Sequence, residues 1–162
     1  MSLLGKEGGC DCGAVRFRLE AEPIVVNCCH CRACQRQSGS AFAINVIVET
    51  DQVTILSGDP IRFAHETGSG AGQSNLRCDA CGTSLASVYH AAGENLRFLR
   101  GGAFDDSTAV VPDVHIFTAE KVDWVAIPEG MRSYEGFYPG RDIPAIMGEG
   151  NAARFGKATG RG

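Results

Sequence analysis

No apolar run in the chain approaches the roughly 18 to 20 residues that a bilayer-crossing helix needs, and Met1 to Gly9 has no long apolar signal region. Neither insertion nor secretion is expected, and a cytoplasmic location follows as the expectation. Positive charge is also in short supply. Fifteen Lys and Arg stand against 19 Asp and Glu, a formal net charge of -4 with a pI near 5.5, so the broad basic field of a nucleic-acid binder is missing. Neither nucleic acid nor a membrane is an expected partner. There is no Gly-x-Ser-x-Gly elbow to mark a nucleophilic serine. The glycine-rich stretch Gly68 to Gly72 lacks the Lys-Ser/Thr ending and the following helix of a phosphate loop, and reads as a mobile loop. What remains is average soluble composition, 44% hydrophobic and 21% charged over 162 residues. That size fits one domain with a short tail and excludes collagen, coiled coil and wholesale disorder.

Cysteine is abundant instead, with eight in the chain. A chain of this length can build a core without covalent staples, so the thiols need another reason. They fall into three clusters: Cys10 with Cys12; Cys28, Cys29, Cys31 and Cys34; and Cys78 with Cys81. Cysteines one or two residues apart rarely bridge each other, but they readily turn two sulfurs toward one metal ion. Thiolate-rich sites favour zinc, with iron-sulfur as the rival. Cys78-Asp79-Ala80-Cys81-Gly82 reads as a zinc knuckle whose Gly82 takes a positive φ, and Cys10-Asp11-Cys12-Gly13 is a shorter version. Together the two knuckles supply four thiolates, a closed set of the structural type that would tie the chain's beginning to its middle.

Cys29, Cys31 and Cys34 offer three more thiolates within six residues. Cys28 is expected to pack inward as a small apolar residue, because neighbours on an extended segment point to opposite faces. Three protein ligands and one open position are the pattern of a catalytic zinc. The alternative is a second inert centre closed by a histidine, His30, His65 or His115.

The rest of the chain reads as short strands. Alternation marks Ala14 to Leu19 and Phe42 to Val48, and a β-branched run marks Pro23 to Asn27. Val53 to Leu56 and Ile61 to His65 read as a hairpin across Ser57-Gly58-Asp59-Pro60. Ser84 to Tyr89, Leu96 to Arg100, His115 to Phe117 and Val122 to Ile127 extend the list. Cys31 to Gln37 is the best short helical turn. The predicted fold class is mainly β, small antiparallel sheets with few short helices. Beyond Pro139 little apolar periodicity is left, so residues 1–139 form the predicted zinc-binding domain and residues 140–162 a loosely ordered C-terminal tail.

Three ordered motifs carry a resemblance over about Gly8 to Gly136: Gly9-Cys10-Asp11-Cys12-Gly13-Ala14-Val15, Cys29-His30-Cys31-Arg32-Ala33-Cys34 followed by Gln37 to Phe42, and Cys78-Asp79-Ala80-Cys81-Gly82. In these the sequence resembles the glutathione-dependent formaldehyde-activating enzymes and the centromere protein V group, which share a β-tent fold. The resemblance implies two Zn2+ per chain. One is structural on Cys10, Cys12, Cys78 and Cys81. The other is catalytic on Cys29, Cys31 and Cys34, with an open position. It implies a carbon-sulfur lyase or synthase of the S-(hydroxymethyl)glutathione synthase type, whose partners are a small thiol, glutathione or similar, and an aldehyde. His30, His65, His115 and the Asp105-Asp106 pair are candidate proton carriers by type. Arg32, Arg36, Arg62 and Arg100 are candidates for the carboxylates of glutathione. The alternative function is a non-enzymatic zinc module with a GTPase-binding or scaffold role, which would tolerate a closed second metal site.

Overall fold

The structure, a computed structural model, describes residues 2–67 and 70–160. Over them the chain is mainly β, with three helices. Its strands are β1 (Glu7–Gly9), β2 (Arg16–Leu19), β3 (Val25–Cys29), β4 (Ala43–Glu49), β5 (Val53–Ser57) and β6 (Ile61–His65). They continue with β7 (Gln73–Arg77), β8 (Ser84–Tyr89), β9 (Leu96–Arg100), β10 (Val114–Ile116) and β11 (Arg132–Ser133). The helices are α1 (Arg32–Ser38), α2 (Ile143–Met147) and α3 (Glu149–Thr159). Among the described residues no helix is long and apolar enough to cross a membrane.

The strands form a three-stranded sheet, ordered β1-β2-β5, and an eight-stranded sheet, ordered β11-β10-β3-β4-β9-β8-β7-β6. Most pairs are antiparallel, but β10 runs parallel to both β3 and β11. β3 is buried along its whole length, the behaviour of a strand covered on both faces. Period two then divides its neighbourhood. Val26 joins Val46, Val48, Leu99 and Ala86 in one apolar cluster, roofed by Phe17 and Leu19 of the small sheet and by Val15 just before β2. Val25 and Cys29 join Ala43, Ile47, Leu96, Val114 and Ile116 in the other, roofed by Tyr138, Met147 and Phe155.

Two expectations for the strands change here. The segments read as a hairpin separate instead: β5 pairs with β2 in the small sheet and β6 with β7 in the large one. Val122 to Ile127 alternates but forms no strand. Val125 N closes a turn onto Val122 O at 3.1 Å, and the Lys121 ammonium binds the carbonyls of Val122 and Val125, leaving Trp124 79% exposed. Of the glycine-rich stretch, Gly68 and Ser69 lie outside the described residues.

The segment expected to be a loose tail carries α2 and α3. Gly150 and Gly156 weaken helix propensity and blur the apolar period there. Tertiary contacts supply what propensity does not: Phe155 is 9% exposed within the second cluster, and Asn95 Nδ2 donates to Ala158 O at 3.2 Å. Arg154 adds a bidentate pair with Glu49, Nε to Oε1 at 2.8 Å and Nη2 to Oε2 at 2.6 Å. Burial opposes the Glu49 charge, yet the Arg154 guanidinium outweighs it and holds the carboxyl below its ordinary value.

Two outcomes test this docking. Phe155→Ala should lower unfolding free energy by about 3 kcal/mol in a urea titration, a loss a loose tail would not produce. Because the folded carboxyl is the stronger acid, the Glu49 contribution is present above its ordinary value of 4.5 and fades as pH falls through the folded pKa. Acid should therefore loosen α3, read by hydrogen exchange, and Glu49→Gln should flatten that response.

Candidate functional site

The two knuckles converge. Cys10, Cys12, Cys78 and Cys81 bring their sulfurs within 4.8 Å of one another, with Cys10 to Cys12 at 3.5 Å and Cys12 to Cys78 at 3.8 Å. Tight turns make this local geometry: Gly13 N bonds Cys10 O at 3.1 Å, and Gly82 N bonds Cys78 O at 2.9 Å. Gly13 and Gly82 sit at φ 76° and 73°, where a Cβ would be strained. Val15 N donates to Cys10 Sγ at 3.2 Å and is the main reason that thiol is more acidic than usual. Thr83 does the same for Cys81, lowering it to about 6. Four sulfurs, two of them already favoured as thiolates, are a donor set for a soft or borderline cation.

A second group forms where β3 passes into α1. Cys29 is the last residue of β3, Cys31 is the N-cap of α1, and Cys34 sits in its first turn, its backbone N donating to Cys31 Sγ at 3.4 Å. The three sulfurs lie within 4.8 Å of one another, and among the described residues no histidine, carboxylate or further cysteine joins them. Cys31 is pulled far down by hydrogen bonds from Cys29 and Cys34, whereas Cys29 is pushed up by its hydrogen bonding to Cys31 and Cys34 and by burial. Three sulfurs this close share one negative charge readily and resist more unless a cation joins them.

Cys28, His30 and His115 turn the other way and converge on their own. His30 Nε2 meets His115 Nδ1 at 2.8 Å, the rings stack 5.1 Å apart, and Cys28 Sγ lies 3.7 Å from His30 Nε2. Burial lowers the pKa of both imidazoles, His30 to about 4, so both are neutral near pH 7. Their mutual hydrogen bond engages one nitrogen of each ring and leaves His30 Nδ1 buried without a partner. Neither closes the three-sulfur group nor faces it.

The other candidates disperse. Asp105 pairs with Arg16, and Asp106 with Lys6 and Thr108. Arg32 donates to Gln35, Arg62 pairs with Glu94, and Arg36 is exposed. Arg100 alone of the four arginines is buried, and its charge acts on Cys34 and Cys29. Three amides hold it in place, those of Asn45, Gln37 and Asn75. Gln37 Nε2 lies 2.8 Å from His65 Nε2, linking that histidine to the same cluster. Sequence reasoning missed Asn45 and Asn75; for Asn45 the available signal was a polar residue within an otherwise apolar strand.

A sequence model of the family described as glutathione-dependent formaldehyde-activating enzyme matches residues 6–120. A Halomonas elongata protein provisionally named as such an enzyme is 30% identical over 144 residues, covering 85% of this chain and 90% of its own. A Rhodobacter sphaeroides protein of known crystal structure aligns with a TM-score of 0.48 at 17% identity, over 62% of this chain and 88% of that one.

The two sulfur groups should respond differently to mutation. The knuckles join segments that the chain separates by 66 residues, so Cys78→Ser should lower stability by at least ~2 kcal/mol, roughly 5 °C in Tm. Cys31→Ser should cost less than half as much. Equal shifts in thermal melts, alongside metal analysis of both variants, would contradict the difference.

Proposed function

Because the chain belongs to the glutathione-dependent formaldehyde-activating enzyme family, we propose that it is a zinc-dependent carbon-sulfur lyase or synthase of the S-(hydroxymethyl)glutathione synthase type, joining glutathione or a similar thiol to an aldehyde. The observation that carries this reading is the Cys29, Cys31 and Cys34 group, three convergent sulfurs with no fourth ligand-type side chain among the described residues. A tetrahedral shell would keep one place for a group from solution. In this reading Cys10, Cys12, Cys78 and Cys81 hold a structural zinc, and the three-sulfur group holds the catalytic one. A reducing cytoplasm suits both.

Zinc on the three sulfurs would supply a lowered pKa to a thiol and polarisation to a carbonyl oxygen. The thiol gives up its proton, its sulfur forms the C–S bond to the aldehyde carbon, and the carbonyl π electrons move to oxygen, which takes up a proton. The product is a hemithioacetal, and the reverse sequence cleaves it. The chain's own residues set the geometry. β3 and α1 fix the sulfurs, and the apolar cluster behind Cys29 and Cys34 keeps water from that side. His65, reached through Gln37, is the histidine connected to this face, whereas His30 and His115 bond each other behind it.

The test is direct. Loss of free thiol on mixing glutathione and formaldehyde should run roughly tenfold or more faster with the zinc-loaded protein than without it, and Cys31→Ser should abolish the gain. A rate equal to the spontaneous one, in protein carrying two zinc ions, would overturn the assignment.

A further inference from the structure

Arg100 closes the row begun by Leu96 and Phe98 on β9 and is 7% exposed. A buried guanidinium is expensive unless something negative faces it. Among the described residues no carboxylate pairs with Arg100. Its Nη1 donates to Asn45 Oδ1, and its Nη2 to Gln37 Oε1 at 3.0 Å and Asn75 Oδ1 at 3.4 Å, all neutral amides. Its Nε is buried and has no acceptor. Burial works against its charge, and so does Arg77; thiolates at Cys34 and Cys29 would favour it.

The charge inventory says what this cation is for. Three thiolates around a divalent ion leave one net negative charge, and an incoming thiolate makes two. At the knuckles such an excess is tolerable, since Cys12 and Cys81 are exposed to water. Cys29 and Cys34 are buried and Cys31 is only partly exposed, so solvent helps less there.

Resting on the reading of Cys29, Cys31 and Cys34 as an open metal site, we propose that Arg100 is the specificity-determining residue of that site, the fixed counter-charge that makes it accept an anionic sulfur in preference to a neutral donor. Asn45, Gln37 and Asn75 fix the guanidinium, and none of them takes its buried Nε–H. This role differs from gripping a carboxylate: the residue recognises the reacting sulfur, so a thiol without any carboxylate suffices.

The experiment uses the full chain loaded with cobalt, titrated separately with 2-mercaptoethanol and with imidazole and read by metal absorption. In the wild type 2-mercaptoethanol should add thiolate-to-metal charge-transfer intensity. Arg100→Gln should weaken its binding roughly tenfold or more, while imidazole binding stays within about twofold. Asn45→Asp, nearly isosteric, cancels the charge with Arg100 still in place and should do the same. Arg100→Lys should keep most of the thiol affinity. Metal content per chain should be unchanged throughout. Thiol affinity unaltered in both the Gln and Asp variants overturns the proposal alone, as does equal weakening of thiol and imidazole. A wild-type protein that answers to no thiol overturns both the proposal and the site reading beneath it.

Discussion

Successive side chains on an extended backbone point to opposite faces, and everything in the site depends on that alternation being applied to Cys28-Cys29-His30-Cys31. Cys29 and Cys31 go one way and meet Cys34; Cys28 and His30 go the other way and meet His115. Four ligand-type residues in a row could crowd a single closed centre if the backbone were helical or coiled. As a strand running into an N-cap, the segment divides them. The three-sulfur group stays short of a fourth donor because its immediate neighbours face away, held by the β3 to β10 register of His115 opposite Cys28.

The same register explains why the histidines nearest in sequence are unsuited to proton traffic at the sulfurs. A hydrogen-bonded neutral pair, both members desolvated, resists protonation and pins β10 against β3. The polar chain nearest the sulfurs lies on the Cys29 face of the sheet, along β4, β7 and β9. Asn45 lies directly opposite Arg100 on paired strands, so the amide that receives the guanidinium is placed by sheet pairing. Gln37 arrives from α1, which also carries Cys34, so sulfurs and cation share a rigid support.

Much of this was legible in the sequence. Cysteine spacing gave the three clusters and the parting of Cys28 from Cys29, and β2 and β4 declared themselves by apolar residues spaced two apart. What stayed hidden has physical reasons. Partner choice among strands depends on contacts distant in sequence, so a Gly58-Asp59-Pro60 turn between β5 and β6 says nothing about their joining different sheets. The fate of residues 122–127 was decided by Lys121 binding its neighbours' carbonyls, an event that alternation does not report. α3 was masked by Gly150 and Gly156, and it exists because Phe155 and Arg154 have places to dock on the second cluster and Glu49.

The two sulfur groups differ in their surroundings, and the proposed division of roles rests on that difference. Around Cys10, Cys12, Cys78 and Cys81 the donors come from distant segments, two sulfurs touch water, and Val15 and Thr83 already favour the thiolates. In the proposed reading such a set would gain by holding a cation permanently, since release would part the chain's beginning from its middle. Around Cys29, Cys31 and Cys34 the donors come from one short segment whose fold the β3 ladder and α1 already secure, so little structure depends on full coordination. Burial there raises the cost of every added charge, and Arg100 offsets one unit of it. A site with secure walls, an incomplete donor set and a compensating cation can let a ligand come and go, which the closed knuckles cannot do without loosening the fold.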